Sequence, residues 1–418
     1  MSPVDNSKIF GLLGRSLGHS WSVPIHAALG CPTYRLIEIE PETLPAFLQQ
    51  ENLGGLNVTI PYKQTVLPLC DEVEDTARAI GSVNTLVRRN GKLMGYNTDA
   101  IGFQRIAART GISFAGKKVL VLGSGGASRT VQAVTKAQGA REVVVISRTG
   151  PDNYETLADR HGDADILVNA TPVGMYPHNG ACRVDLRDLP RCCGVLDLIY
   201  NPRRTALLMQ AESLGIPCSD GLPMLVAQAV AAEERFFDQT FPADRGEPIL
   251  KTLRKTMTNL VLIGMPGCGK TTVGHLLAEQ TGREALDLDT EIERRAGCSI
   301  PTLFAERGEA AFRALERQVA EDLGKRTGVI LMTGGGVVKD PRNAPALRQN
   351  GRVYHLVRDL NALPVAGRPL SQSGSLSALW AEREPLYRQF RDVAIDNNGP
   401  ASETATAIWR DFCAYFGD

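Results

Sequence analysis

Short apolar runs alternate with amphipathic stretches over most of the chain, a pattern that predicts an α/β fold. Near the N-terminus the runs KIFGLLG, YRLIEI and GLNVTI predict strands. The stretches PETLPAFLQQ and PYKQTVLPL predict helices, each with a proline near its first turn. Two further runs flank Asn90 and Gly91 and predict a β-hairpin with a type I′ turn, which this dipeptide favours. We therefore expect an α/β unit with mixed strands.

From about residue 99 the alternation of strand and helix becomes regular. The strands KKVLVL, REVVVI, ADILVN and GVLDLI predict a parallel sheet with helices on both faces. A more polar stretch ends near Met257, and a second regular alternation begins with NLVLIG. The expected segments are a first lobe at 1–98, a second lobe at 99–219, helices at 220–257 that pack back on the first lobe, and a final parallel α/β domain at 258–418.

Composition narrows the class of protein. The 418 residues are 43% hydrophobic and 22% charged, as in ordinary globular proteins, and the formal net charge is zero, so nothing points to a nucleic-acid partner. The nine cysteines form no Cys-x-x-Cys pair and no cluster with zinc spacing, so we expect reduced thiols and a cytoplasmic location. The sequence shows no secretory signal and no apolar run of membrane-spanning length, so no membrane partner is expected.

The most specific motif lies at the start of the final domain. The segment Gly264–Thr271 (GMPGCGKT) fits G-x-x-x-x-G-K-[ST] and stands between an apolar strand and a helix. Backbone N–H groups and the helix N-terminus in such a loop surround phosphate oxygens, so ATP is the expected ligand. Lys270 is expected to reach the β- and γ-phosphates, and Thr271 to offer its hydroxyl to Mg²⁺. The predicted nucleotide contacts are Gly267, Cys268, Gly269, Lys270, Thr271 and Thr272.

Three patterns after this loop add candidate chemistry. If LDLD is a strand, Asp287 and Asp289 share a face, where one carboxylate serves the metal's water shell and the other meets a hydroxyl; a solvated acidic turn is the alternative. Glu309, Arg313 and Glu316 stand at helical spacing, which is typical of a solvated ion-pair face. The glycines of VILMTGGGVV allow a ligand to approach the backbone closely.

These motifs together resemble shikimate kinase over roughly 259–400. The order of P-loop, D-x-D, G-E-x-x-F-R-x-x-E, G-G-G, R-P-L and R-x-P-L-Y matches that family throughout. The resemblance implies a P-loop domain like that of nucleoside monophosphate kinases. It also implies that Asp289, Arg313, Gly335 and Arg383 bind shikimate, with the two arginines on its carboxylate.

The same resemblance implies the groups that act on the phosphoryl transfer. Asp289 would orient the 3-hydroxyl and take its proton, while Thr271 and Asp287 would serve Mg²⁺. Lys270 and Arg368 would neutralise charge on the transferring group, with Arg368 also contacting the nucleotide. The segment LVRDLNALPVAG before Arg368 is short for that family's lid and lacks the arginine often found at its start.

A less specific motif follows the strand KKVLVL. Gly123, Ser124 and Gly125 lie between a strand and a helix, as in dinucleotide-binding folds, although Ser128 stands where a third glycine is usual. The next strand ends in SRT, without the acid that would bind a ribose 2′-hydroxyl. Arg148 in this place favours a 2′-phosphate and hence NADP over NAD. A solvated residue at the end of a strand is the alternative.

Reduction of a ketone by hydride transfer also needs a group that gives a proton to the new alkoxide. Lys63 in NVTIPYK and Asp99 in GYNTD are candidates, because a lysine beside a carboxylate can donate a proton and be reprotonated. The sequence does not show that the two touch, and an ordinary surface lysine is the alternative for Lys63.

The N-terminal pieces together resemble shikimate dehydrogenase over roughly 8–240. The matching pieces are GHSWS, NVTIPYK, GSVNTL, GYNTD, GSGGAS, SRT, VNATPVGM, DLIYNP and GLPMLVAQA. The resemblance implies a mixed α/β substrate lobe and a Rossmann-like NADP lobe with the ligands in the cleft between them. The implied substrate residues are Ser20 and Ser22 on the carboxylate, Thr59, Asn84 and Gln228 on the hydroxyls, the catalytic pair Lys63 and Asp99, and Tyr200 against the substrate. The implied NADP contacts are Gly123, Ser124, Gly125, Gly126, Ala127, Ser147, Arg148, Thr149, Leu198 and Gly221.

The two resemblances describe consecutive reactions, reduction of 3-dehydroshikimate with NADPH and phosphorylation of shikimate with ATP. Small molecules are therefore the expected partners, and the oligomeric state stays open. One alternative is a quinate dehydrogenase that uses NAD beside an impaired kinase domain, against which Arg148 argues. Another is a regulatory sensor built from inactive copies. The presence of the catalytic candidates argues against it, namely Lys63, Asp99, Lys270, Asp289 and Arg313.

Overall fold

A computed structural model of the protein describes residues 7–18, 20–363 and 376–417. Arg368, which is predicted to contact the nucleotide, lies outside the described residues. The chain divides into two compact units, one that runs to Leu250 apart from two short segments and one that begins at Lys251. No helix of the described residues is long and apolar enough to cross a membrane.

The first unit begins with a six-stranded mixed sheet. Its strands are β1 (Ile9–Gly14), β2 (Arg35–Glu38), β3 (Leu53–Val58), β4 (Glu72–Val73), β5 (Thr85–Arg89) and β6 (Lys92–Tyr96). They lie in the order β2-β1-β3-β5-β6-β4, with β1 parallel to its neighbours and β5 antiparallel to β3 and β6. The predicted hairpin is confirmed, and Asn90 and Gly91 have the positive φ values, 52° and 78°, that a type I′ turn requires.

The helix predicted at PYKQTVLPL is wrong. Residues 61–66 form turns, and only Leu67–Leu69 make a short 3₁₀-helix. Pro68 gives the physical reason, because it has no N–H to donate and its ring clashes with the carbonyl four residues earlier in an α-helix. The turns bring Lys63 back beside the sheet, where its carbonyl oxygen accepts a hydrogen bond from Val83 N at 2.8 Å.

A five-stranded parallel sheet forms the second half of this unit. Its strands are β7 (Lys118–Leu122), β8 (Glu142–Ile146), β9 (Ile166–Asn169), β10 (Gly194–Asp197) and β11 (Cys218–Ser219). They lie in the order β8-β7-β9-β10-β11, so the direction of winding reverses between β7 and β9. Ligands of open α/β sheets bind beyond the carboxyl ends of strands at such a reversal.

Helices connect and cover these strands. They are α1 (Ser22–Leu29), α2 (Leu44–Leu48), α3 (Asp75–Ile80), α4 (Thr98–Thr110), α5 (Gly126–Ala137), α6 (Leu157–His161), α7 (Ala206–Ser213) and α8 (Leu222–Phe237). The next helix, α9 (Glu247–Met257), begins in the first unit and contains the boundary at Lys251. α4 and α8 approach so closely that a Cβ on Gly102 would lie 2.7 Å from the carbonyl oxygen of Met224. Only glycine fits there, and the close approach fixes the two helices that carry Asp99 and Gln228.

The second unit contains a parallel sheet of its own. Its strands are β12 (Asn259–Ile263), β13 (Ala285–Asp287), β14 (Ile330–Met332), β15 (Gly351–Val357) and β16 (Val393–Asp396). The order β13-β14-β12-β15-β16 puts the fully buried β12 at the centre, so the P-loop leaves the central strand at its carboxyl end. The helices are α10 (Lys270–Thr281), α11 (Leu288–Ala296), α12 (Ile300–Gly324), α13 (Asn343–Arg348), α14 (Leu376–Phe390) and α15 (Ala401–Tyr415).

Candidate active sites

A cavity of about 290 Å³ in the first unit gathers residues from both halves of that unit. Its wall contains every side chain predicted to contact the first substrate: Ser20, Ser22, Thr59, Lys63, Asn84, Asp99, Tyr200 and Gln228. Three residues predicted to contact NADP, namely Ala127, Leu198 and Gly221, border the same cavity. The fold thus brings together groups that are far apart in the sequence.

Lys63 and Asp99 form an ion pair in this wall. Lys63 Nζ lies 2.5 Å from Asp99 Oδ2, and the two side chains are 24% and 14% exposed. Asp99 stands in the first turn of α4, which Asn97 caps by accepting a hydrogen bond from Ala100 N. The interpretation of Lys63 as an ordinary surface lysine is therefore wrong, because its ammonium group is paired and its side chain is only 24% exposed.

Buried amides beside this pair fix the polar side of the cavity. Asn84 Oδ1 accepts a hydrogen bond from Thr98 N at 2.7 Å, and Asn84 Nδ2 donates to Thr98 Oγ1 at 3.1 Å. Asn57 Nδ2 donates to Thr85 Oγ1 at 3.3 Å, and Tyr34 OH donates to Asn57 Oδ1 at 2.8 Å. Because these groups are buried and hydrogen-bonded, each amide keeps one orientation and the cavity presents a preformed pattern of donors and acceptors.

Asn57 is a cavity residue that the sequence analysis did not single out. The sequence could have indicated Asn57, because it stands two positions before Thr59 and side chains two apart in a strand share a face. The apolar lining from Leu12, Met224 and Leu225 was also missed. An apolar residue in a cavity wall has the same sequence pattern as one in the core, so periodicity cannot separate them.

The loop after β7 has the backbone that a dinucleotide needs. Gly123 has φ +100°, and a Cβ there would lie 2.7 Å from Thr171 Cγ2, so only glycine fits. Nothing lies within 4 Å of a Cβ built on Gly125 or Gly126, and α5 begins at Gly126 without a side-chain cap. The backbone beside Gly125 and Gly126 is therefore open to a ligand, and the first N–H groups of α5 have no side-chain cap, as a pyrophosphate site requires. The SRT triplet follows β8 directly, and Arg148 is exposed there.

A second cavity, of about 620 Å³, lies in the second unit. It is lined by the residues predicted to contact shikimate or the metal: Thr271, Asp287, Asp289, Arg313, Gly335 and Arg383. Of the other predicted nucleotide contacts, Gly267, Gly269, Lys270 and Thr272 line it. Cys268 does not, because its side chain is fully buried below the loop.

The P-loop is shaped for phosphate. Gly267 and Gly269 have positive φ values of 83° and 95°, and α10 begins at Lys270 without a side-chain cap. Lys270 Nζ donates to the carbonyl oxygens of Gly264 and Met265 at 2.9 and 3.0 Å, which holds the ammonium group across the loop. The N-terminus of α10 and this ammonium group together favour a polyanion.

Thr271 and Asp287 offer oxygen ligands side by side, since Thr271 Oγ1 donates to Asp287 Oδ2 at 3.2 Å. Mg²⁺ prefers oxygen donors and usually keeps several waters beside one or two protein groups. A hydroxyl and a carboxylate at the mouth of a phosphate-binding loop therefore fit this ion.

Two guanidinium groups at the other end of the cavity are held by the triple-glycine segment. Arg383, which is only 2% exposed, donates from Nη1 to Gly335 O at 3.1 Å. Arg313 Nη1 donates to Gly336 O at 3.2 Å and to Glu316 Oε2 at 2.7 Å. Arginines fixed in this way present planar pairs of N–H donors that match a carboxylate.

Two local predictions for this unit are wrong. Asp289 does not share a strand with Asp287, because β13 ends at Asp287. Asp287 caps α11 instead, since Asp287 Oδ1 accepts hydrogen bonds from Asp289 N and Thr290 N at 2.9 and 3.3 Å. The helix face of Arg313 and Glu316 is not solvated, since their side chains are 15% and 1% exposed. α12 turns this face toward the cavity, so the ion pair belongs to the site.

Comparison with known proteins identifies both parts. Residues 12–86 match the family model for the shikimate dehydrogenase substrate binding domain, and residues 266–412 match that for shikimate kinase. The chain is 38% identical over 259 residues to shikimate dehydrogenase (NADP(+)) of Caldicellulosiruptor bescii. The aligned residues cover 55% of this chain and 89% of that protein. The chain belongs to the shikimate dehydrogenase family. Its second unit carries a shikimate kinase domain.

Other members of the dehydrogenase family support the assignment. Shikimate dehydrogenase (NADP(+)) of Geobacillus kaustophilus is 34% identical over 274 residues, 59% of this chain and 99% of that protein. A chorismate mutase/shikimate 5-dehydrogenase fusion from Clostridium acetobutylicum superposes with a TM-score of 0.57 at 35% identity, over 60% of this chain and 98% of that one. Shikimate 5-dehydrogenase of Thermus thermophilus, solved with NADP(H) and shikimate, gives 0.53 at 31%, over 59% and 99%. The predicted fold class and both resemblances are confirmed.

Two acidic groups in the kinase cavity have perturbed pKa values. Burial and the neighbouring Asp287 raise the pKa of the Asp289 carboxyl, against the opposing effect of Lys270. Burial also raises the pKa of Glu316, which the Arg313 guanidinium lowers in part. A carboxyl group whose pKa is raised is a better proton acceptor, once ionised, than an ordinary aspartate.

Asp289→Asn should abolish most kinase activity and yet stabilise the domain. Because the folded pKa of Asp289 is raised, its ionisation destabilises the fold increasingly as pH rises from the unfolded pKa through the folded one, and Asn removes this cost at neutral pH. Calorimetry should show the ADP-sensitive transition at a higher temperature, and each 1 kcal/mol that the variant gains raises the melting temperature of a domain of this size by about 2–4 °C. The wild-type rate should fall as pH drops through the raised pKa of Asp289.

Asp340→Asn is the control of opposite sign. Hydrogen bonds from the Arg342 side chain hold the pKa of Asp340 below its usual range, so its ionised form stabilises the fold at neutral pH. This variant should lower the melting temperature and leave the pH dependence of phosphorylation unchanged. A lower melting temperature for Asp289→Asn would contradict the assigned cost of its burial.

Proposed function

We propose that the chain is a bifunctional enzyme that reduces 3-dehydroshikimate to shikimate with NADPH and phosphorylates shikimate to shikimate 3-phosphate with ATP. One observation carries the proposal: each of two separate cavities contains all the substrate-binding residues that its family resemblance assigns. The first holds the Lys63 and Asp99 pair at 2.5 Å, and the second combines the P-loop with Asp289 and with Arg313 and Arg383, which the triple-glycine segment holds.

In the first cavity NADPH would supply the hydride. The Ser20 and Ser22 hydroxyls bind the substrate carboxylate, and their places are linked because Ser22 N donates to Ser20 Oγ at 3.2 Å. The Lys63 ammonium group, held by Asp99, gives a proton to the carbonyl oxygen as it becomes a hydroxyl. Tyr200 lies against the ring. The polar groups that bind the remaining hydroxyls are Thr59, Asn84 and Gln228.

In the second cavity Mg²⁺, held by Thr271 and Asp287, would neutralise phosphate charge. Arg313 and Arg383 bind the carboxylate of shikimate and so place its 3-hydroxyl near Asp289. Asp289 accepts the proton of the 3-hydroxyl as the oxygen of that hydroxyl forms a bond to the γ-phosphorus of ATP. The bond from the γ-phosphorus to the β-phosphate oxygen breaks, and ADP leaves. Lys270 stabilises negative charge on the phosphoryl oxygens, a role that the resemblance also gives to Arg368.

Arg148→Ala should weaken NADPH far more than NADH. The exposed guanidinium after β8 is placed to pair with the 2′-phosphate that NADH lacks, and a charge-assisted contact of this kind contributes about 1.5–3 kcal/mol. The KM for NADPH should rise by at least about tenfold, while the KM for NADH stays within about twofold. Initial rates at saturating 3-dehydroshikimate measure both, and an equal rise for the two cofactors would exclude the assignment.

Separate assays of the two half-reactions test the proposal. NADPH absorbance with 3-dehydroshikimate follows the reductase, and shikimate-dependent ADP release follows the kinase. Quinate with NAD, and the chain without any substrate, are the controls for the alternative dehydrogenase and for background ATP hydrolysis. Loss of both activities in folded protein would favour a regulatory sensor, and activity only with quinate and NAD would replace the first substrate.

A further inference from the structure

The kinase cavity contains a cation to which the proposed mechanism assigns no task. Arg358 follows β15 directly and lines the cavity together with the P-loop. A Cβ built on Gly269 would lie 4.0 Å from Arg358 Nη1. The guanidinium group therefore lies against the last glycine of the P-loop, immediately before α10.

Within residues 7–18, 20–363 and 376–417 this guanidinium has no partner. Its Nε is buried without a hydrogen bond, and no carboxylate of this part of the chain pairs with it. Two arginines close in the sequence differ, since Arg352 in β15 pairs with Asp411 at 2.9 Å and Arg348 at the end of α13 pairs with Asp392 at 2.8 Å. A buried N–H donor of a charged group is costly to leave unsatisfied, so an acceptor is expected from a ligand.

The backbone that faces Arg358 is fixed rather than adaptable. Asn397, only 2% exposed, donates from Nδ2 to the carbonyl oxygen of Cys268. Thr404 Oγ1 in turn donates to Asn397 Oδ1 at 2.6 Å, which holds the amide in this orientation. The turn from Cys268 to Gly269, which Arg358 approaches, is thus anchored from the β16 side.

The charge around this point is positive. Lys270 and the uncapped N-terminus of α10 lie at the same loop as Arg358. Adding a cation to a helix N-terminus is unfavourable unless an anion occupies the space between them. A chain of phosphates satisfies all three groups at once, and the fork of an arginine matches phosphate oxygens.

We propose that Arg358 binds the phosphate chain of the nucleotide from the β15 side of the P-loop. The inference rests on the proposed kinase function for the identity of the nucleotide. It gives the phosphate chain an arginine from the end of a strand, in addition to the contact that the resemblance assigns to Arg368. Arg358 acts on ground-state binding of ATP and ADP rather than on the proton transfer at Asp289.

Calorimetric titration of the full chain with ADP and with adenosine tests this contact. Arg358→Met should weaken ADP by about tenfold or more, the loss expected from one charge-assisted hydrogen bond, and leave adenosine unchanged. Arg358→Lys keeps the positive charge but not the paired N–H donors, and its affinity for ADP should lie between that of the wild type and that of Arg358→Met. Arg342→Met, which removes an exposed arginine paired with Asp340 at 2.8 Å, is the matched control and should bind ADP like the wild type.

Each outcome decides the point. Equal ADP affinity in Arg358→Met and wild type would overturn the proposal, and an equal loss for ADP and adenosine would move the contact to the base and overturn it as well. A melting temperature within about 2 °C of wild type separates lost binding from lost folding. If the wild type binds ADP but does not phosphorylate shikimate, the proposed function fails while the titration still decides the role of Arg358.

Discussion

Lys63→Met should reduce the kcat for 3-dehydroshikimate by roughly 10²–10⁴, the range that a positioned general acid contributes. The variant keeps the length of the side chain and removes the ammonium group that lies 2.5 Å from Asp99 Oδ2. The KM should change little, because the carboxylate and the hydroxyls of the substrate are assigned to other side chains. Initial rates of NADPH oxidation over a range of ketone concentrations separate the two effects.

The kinase activity of the same chain is the internal control for Lys63→Met, because none of its assigned residues lies in the first cavity. Asp99→Asn should also slow the reductase, since it leaves Lys63 without its carboxylate partner. A Lys63→Met enzyme that retains nearly the wild-type kcat would show that another group gives the proton.

Lys270→Met should reduce the kcat for shikimate phosphorylation by roughly 10²–10³ or more, the effect of removing one preorganised donor from a developing charge. The ammonium group of Lys270 lies at the P-loop, 2.9 Å from Gly264 O. No other described lysine lines this cavity, so no neighbouring ammonium group replaces it. Shikimate-dependent ADP release at saturating ATP is the measurement.

Reductase activity in the Lys270→Met protein should stay at the wild-type level and so controls for its concentration and for the first unit's fold. The melting transition that ADP shifts in the wild type reports on the kinase domain itself. A kcat near wild type would mean that the P-loop does not hold the transferring phosphoryl group and that the kinase assignment is wrong.

The parts of the fold set by local chemistry were predictable from the sequence. The Asn90-Gly91 dipeptide determines the type I′ turn, and apolar runs followed by glycine-rich loops determine the order of strand and helix in the parallel sheets. The helix expected at PYKQTVLPL failed because Pro68 outweighs the apolar spacing around it. Local breakers therefore deserve more weight than periodicity in short segments.

The candidate sites were predictable where a motif fixes both residue type and backbone. The P-loop is of this kind, and its glycines adopt the positive φ values that the motif implies. The face of Arg313 and Glu316 was not, because charge at helical spacing looks the same whether it meets solvent or a cavity. Arg358 gave no signal for a related reason: its neighbours across the sheet, including Asn397, are distant in the sequence.

The contact between Lys63 and Asp99 is a feature of the site that the residues alone did not predict. Each residue was a candidate by type, but the distance between them depends on the turn after β3 and on the cap of α4. Tertiary packing decides such distances, and one sequence does not state them. The resemblance to a family supplied the pairing, and the structure supplies the geometry.

One labelling experiment tests the bifunctional account most directly. The full chain is supplied with 3-dehydroshikimate, ATP, Mg²⁺ and NADPH carrying deuterium at both C4 positions, and the products are examined by mass spectrometry. The account predicts shikimate 3-phosphate that carries a single deuterium, and none of this product when either NADPH or ATP is left out. Deuterated shikimate without any phosphorylated product, from protein that is folded and binds ADP, would contradict it.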